Sequence, residues 1–138
     1  MKKLMSVLFV FMISGCAPYP TIMANKGKNV LDLKSADPDH YELEVIDPGF
    51  ELWFETHWNP ADDRLEPYYN HWDDQYVAAW NYKAEHAGNS SLFDSVINYD
   101  PGIDYGVSIF RELYYYFRYV EIVKKIQIPD YPRQDGII

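Results

Sequence analysis

The chain has 138 residues and a formal net charge of −9, enough length for one domain and a balance that repels a nucleic acid backbone. Cys16 is the single cysteine, so an intramolecular disulfide is excluded. Thirteen tyrosines and four tryptophans read first as core packing, because aromatic side chains bury much area while their polar tips tolerate half-exposed positions.

In chain order, the cationic opening Met1-Lys2-Lys3 is followed by an apolar run from Leu4 to Ile13, broken only by Ser6. That run is about half of the ~20 residues a spanning helix needs, and with its basic flank it reads as a signal peptide. Its end, Ile13-Ser14-Gly15-Cys16, resembles the lipobox of bacterial lipoproteins. The resemblance implies cleavage before Cys16 and lipid attachment to its sulfur, which also removes the thiol from catalysis and metal binding. Two or more acyl chains anchor a protein stably, at ~0.8 kcal/mol per buried methylene. Ala17 follows the cysteine in place of an acidic residue, which points to the outer membrane, with the domain facing the periplasm. The expected organisation is a signal peptide over 1–15, a lipidated cysteine and flexible tether over 16–36, a globular domain over 37–126 and an extended tail over 127–138.

Asp37-Pro38-Asp39 is turn chemistry. Tyr41, Leu43 and Val45 then alternate with Glu42 and Glu44, the pattern of a half-buried strand. Asp47 can cap a helix with Pro48 at its first position; Phe50, Trp53, Phe54 and Trp58 follow at helical spacing. This first helix runs to about His57 and stops at Asn59-Pro60. A second begins near Pro67 and carries Tyr69, Trp72, Tyr76, Ala79 and Trp80 on one face. Gly88-Asn89 ends it. The segment from Ser90 to Gly102 reads as loop, with Asp100-Pro101-Gly102 repeating the turn at Asp47-Pro48-Gly49.

Asp104 can cap a third helix, with Val107, Phe110, Leu113, Tyr114, Phe117 and Val120 as its stripe. Glu121 and Lys125 stand four apart, as a helix pair. Residues 114–123 are rich in aromatic and β-branched types and also fit a strand; helix is the favoured reading. The fold class is thus mainly α with a minor β element, a small α+β domain of about three amphipathic helices and one or two short strands around one aromatic-rich core.

Chemistry is sparse. His40, His57, His71 and His86 are scattered without the spacing of a helical metal site, so neither metal nor cofactor is expected. The carboxylates best placed for glycan hydrolysis are Asp73 or Asp74 with Glu55, although most acids read as solvated surface charge. No Gly-x-Ser-x-Gly or phosphate loop occurs, so no catalytic residue is assigned. Trp58, Trp72 and Trp80 are candidate glycan-stacking residues, with core packing as the alternative. Asp94-Ser95-Val96 resembles a triplet that some bacterial envelopes O-glycosylate, which makes Ser95 a candidate site; the plain alternative is an ordinary loop serine. The triplet Asn89-Ser90-Ser91 also fits an N-glycosylation acceptor, common by chance.

The stretches YELEVIDPGFELWF (41–54), YYNHWDDQYVAAWN (68–81) and INYDPGIDYG (97–106) resemble a family of short bacterial envelope lipoproteins known only as a domain of unknown function. The resemblance covers roughly residues 40–125 and implies an exported, single-domain lipoprotein with no catalytic residues to carry over. A non-enzymatic structural or protein-interaction role is the first expectation, with an envelope protein as partner. A glycan- or peptidoglycan-binding role is the second, and a glycan hydrolase the third.

Overall fold

The computed structural model describes residues 31–37, 40–86 and 92–130. Its elements run β1 (Leu31–Asp37), β2 (His40–Val45), α1 (Phe50–His57), a 3-10 turn (Pro60–Asp62), α2 (Glu66–His86) and α3 (Val107–Ile122). This is a small α+β domain of three helices and one two-stranded antiparallel sheet. α3 is the central element, packed on both α2 and α1. It buries Ile109, Phe110, Leu113, Tyr114, Tyr116, Phe117, Tyr119 and Val120. That density explains why residues 114–122 are helical despite their β-prone composition. A helix lets residues three and four apart bury together, and tertiary burial outweighs a weak intrinsic preference.

The strand predicted from Tyr41-Glu42-Leu43-Glu44-Val45 is β2. Its partner corrects the expected tether, because Leu31–Asp37 is the strand β1. Leu31 faces Val45, Leu33 faces Leu43 and Ser35 faces Tyr41, with an irregularity between Ser35 and Asp37. Leu31 and Leu33 are core residues. Their alternation with Asp32 and Lys34 is too short to stand out in a lysine-bearing segment, and pairing with β2 stabilises it. Lys34 is held between Asp32 and Glu44. Pro38 and Asp39, like the 1–30 segment with Cys16, the Gly88-Asn89 stop signal and the Asn89-Ser90-Ser91 triplet, lie outside the described residues.

Two helix starts also shift. Gly49, not Asp47, caps α1. Asp47 Oδ1 accepts from the Gly49 amide at 3.2 Å and the Tyr119 hydroxyl at 3.1 Å, while Oδ2 pairs with Lys124 Nζ at 2.7 Å. Its role is to join the start of α1 to the end of α3. Gly106, at φ 87°, caps α3, and Asp104 accepts from its amide at 2.9 Å. Only glycine adopts that φ without steric cost. Glu121 pairs with Arg118 at 2.8 Å in place of Lys125, because α3 ends at Ile122 and Lys125 takes a left-handed conformation, φ 58°.

That reversal sends the chain back along the domain. Ile128 and Pro129 are completely buried, and Asp130 meets Lys83 Nζ at 3.0 Å. The start of the expected extended tail over 127–138 is therefore part of the core; residues 131–138 lie outside the described residues.

Candidate functional site

A groove of about 400 Å³ opens between α1, the start of α2 and the second half of α3. α1 contributes Trp53 and His57, α2 contributes Tyr68 and Tyr69, and α3 contributes Tyr114, Tyr115 and Arg118, with Asp62 and Arg64 on the connecting turn. Its size and its mix of aromatic walls with a few polar groups are those of a small-ligand site.

Asp63, between the lining residues Asp62 and Arg64, holds the connecting turn in place. Arg111 meets this carboxylate in a two-pronged pair, Nε to Oδ1 at 3.0 Å and Nη2 to Oδ2 at 2.5 Å. Tyr69 donates to Oδ1 at 2.5 Å, and the Arg64 amide donates at 3.0 Å. Desolvation pushes the Asp63 carboxyl up, but hydrogen bonds from Tyr69 and Arg111 outweigh it and hold the carboxyl below its ordinary range. Burial, and then the bond to Asp63, push the Tyr69 phenol up to about 12. Such a bidentate, charge-assisted pair fixes geometry as well as adding energy. It locks the turn between α1 and α2 onto α3.

The walls are aromatic. Tyr68 and Tyr114 meet edge to face at 5.7 Å, with their hydroxyls 3.2 Å apart. The His57 ring stacks on Trp53 at 4.2 Å, and its Nδ1 lies 2.7 Å from the Trp53 carbonyl oxygen. Trp53 and Tyr115 are 6.3 Å apart, centroid to centroid. Arg64 is exposed and lays its guanidinium over the Tyr68 ring at 5.6 Å.

The residues singled out in the sequence lie elsewhere. Trp80 is 1% exposed and donates its indole N–H to the Ser95 carbonyl at 3.1 Å, so neither of its faces is free for a sugar. Trp72 is half-buried against the core. Trp58 is half-buried, stacked on Phe54 at 5.9 Å with the Arg111 guanidinium 4.9 Å above its ring. Ser95 is half-buried, its hydroxyl 3.3 Å from Asp94 Oδ1.

The three carboxylates considered for hydrolysis have separate surroundings. Glu55 is exposed on α1. Asp74 accepts from the Tyr99 hydroxyl at 2.8 Å. Asp73 is 0% exposed, and among the described residues neither of its carboxylate oxygens has a hydrogen-bond partner. Desolvation, with Asp74 adding repulsion, raises the Asp73 carboxyl well above its ordinary range. Among the described residues no group of three or more His, Cys, Asp or Glu side chains is placed to hold a metal, and no helix is long and apolar enough to cross a membrane.

The groove residues Tyr68, Tyr114 and Tyr115 carried no sequence signal that separates them from core tyrosines. Arg64 and Arg111 did carry one: they are two of the few cations in an acidic domain. The model of a protein family of unknown function, DUF6146, matches residues 4–135. No curated protein and no solved structure matches the chain.

Proposed function

The chain belongs to this family of unknown function, and on that premise we propose that it is a lipid-anchored bacterial envelope protein with a non-enzymatic, interaction-based role. The observation that carries the reading is the sequence Ile13-Ser14-Gly15-Cys16 at the end of a short apolar run. Acyl chains on Cys16 hold the domain at the outer membrane, facing the periplasm. The separate surroundings of Asp73, Asp74 and Glu55 favour binding over hydrolysis. The test is detergent phase partition of cells fed a tagged fatty acid. The wild-type chain enters the detergent phase carrying the tag, whereas Cys16→Ser stays aqueous and untagged. Equal partition of the two proteins overturns the anchor.

A second reading, a glycan-binding domain, is favoured by the open groove. The faces and edges of Trp53, Tyr68, Tyr114 and Tyr115 offer apolar surface with polar tips, which suits the mixed surface of a sugar ring. Glycan contact here changes the fluorescence of Trp53; a panel of cell-wall glycans that leaves the emission unchanged removes this reading.

A further inference from the structure

We propose that the groove recognises a sugar carrying an oxyanion, with Arg64 as the anion-reading group and Tyr68 as part of the platform beneath the ring. This rests on the glycan-binding reading and adds the chemical class of the ligand.

The argument begins with charge accounting around the groove. Arg111 is committed to Asp63. Arg118 is committed to Glu121 at 2.8 Å, and the Tyr76 hydroxyl donates to the same Glu121 oxygen at 2.7 Å. Asp62 Oδ2 is engaged by the Asn59 side-chain amide at 3.0 Å. Lys34, Lys83 and Lys124 also have carboxylate partners. Arg64 and Lys125 are different: among the described residues neither has a carboxylate partner, and of the two Arg64 is the one that lines the groove, although Asp62 and Asp63 are its sequence neighbours.

The fold enforces that separation. The Arg64 amide is held by both Asp63 Oδ1 at 3.0 Å and the Tyr69 hydroxyl at 3.2 Å, which fixes the backbone from which the side chain departs. The side chain lies against Tyr68, so the guanidinium is restrained over an aromatic face at the groove rather than ranging through solvent. A planar guanidinium presents paired N–H donors that match the two oxygens of a carboxylate or the edge of a phosphate. An acidic sugar therefore has both complements in one place, aromatic surface for its ring and a free fork for its charge. Of the described cations that line the groove, Arg118 is paired with Glu121 and Arg64 has no carboxylate partner, so recognition is local to Arg64.

The test uses the full-length lipoprotein in detergent and three ligands on one glucose scaffold: methyl glucoside, its 6-phosphate and methyl glucuronide. Binding is titrated by tryptophan fluorescence. At least one charged ligand is expected to bind on the order of tenfold tighter than the neutral one, as a charge-assisted pair provides. Which one wins distinguishes phosphate from carboxylate as the source of the oxyanion. Arg64→Ala erases the preference for the charged ligand over the neutral one. Arg64→Lys restores only part of it, because a point charge lacks the fork. Arg64 is exposed, and an unchanged melting temperature in each variant separates lost recognition from lost folding. If all three ligands bind equally, or the preference survives in Arg64→Ala, the anion proposal falls while the glycan reading stands. Should none of them bind, both fall together.

Discussion

Asp63 and Asp73 show two opposite treatments of a carboxylate in one small domain. Asp63, in the turn before α2, receives Arg111, Tyr69 and a backbone amide. Asp73, in the middle of α2, is buried, and among the described residues neither of its oxygens is partnered. Desolvation raises the first carboxyl, but its hydrogen bonds hold it below its ordinary range; desolvation pushes the second well above it. Burial alone does not decide what an ionisable group contributes; its partners do. The turn uses its charge to fix itself to α3, while α2 retains an acid that costs stability.

Removing the partner at the satisfied site has the largest expected effect. Arg111→Ala strands Asp63 and strips the cation from the Trp58 ring, and should lower unfolding free energy by about 2 kcal/mol in urea denaturation. That lies between exposed and fully buried pairs, since both side chains keep some contact with water. A loss within experimental error would show that Asp63 is satisfied by Tyr69 and the backbone alone.

Smaller and opposite in sign is the effect at the unsatisfied site. Asp73→Leu replaces two unpartnered oxygens with apolar atoms and should stabilise the domain at neutral pH by about 1 kcal/mol, the low end of the cost of a buried unsatisfied group. Destabilisation would mean that Asp73 has a partner among residues not described or in solvent, and the contrast with Asp63 would dissolve.

The smallest effect is in the pH profile. Asp73 has a folded pKa raised above its ordinary value of 3.8, so its contribution is most favourable below that pH and is lost as pH rises through the folded value. Glu112, also raised by burial, acts with the same sign. Asp63 works the other way: its folded pKa is lowered, and its contribution, present above 3.8, is lost as pH falls through the folded value. Asp73→Asn should therefore flatten part of the decline toward neutral pH, and Asp63→Asn should flatten part of the acid limb. Chemical denaturation at a series of pH values reads both; parallel profiles for wild type and Asp73→Asn would refute the assignment to Asp73.

The helical stripes were legible because each is a local repeat. Phe50 with Phe54, Tyr69 with Tyr76, and Phe110 with Phe117 carry a spacing that one helix face explains. Other features depended on distant partners. β1 was hidden because only four residues, Leu31 to Lys34, alternate, and its stability comes from β2. The Asp63–Arg111 pair, 48 residues apart, has no sequence signature. Nor does the sorting of aromatics between core and groove: Trp80 and Trp53 sit on equally helical patterns, yet one is enclosed and the other lines an opening.

By itself the sequence determined the helical faces, the β2 alternation, the aromatic character of the core and the family motifs, because these depend on residue type and short-range period. Tertiary structure alone decided that Leu31–Asp37 is a strand, that Ile128 and Pro129 return to the interior, that Arg64 lies free over Tyr68, and that Asp73 is sealed without a partner. Each of those outcomes depends on which surfaces meet across the chain, and burial and electrostatic pairing act through space rather than along the sequence.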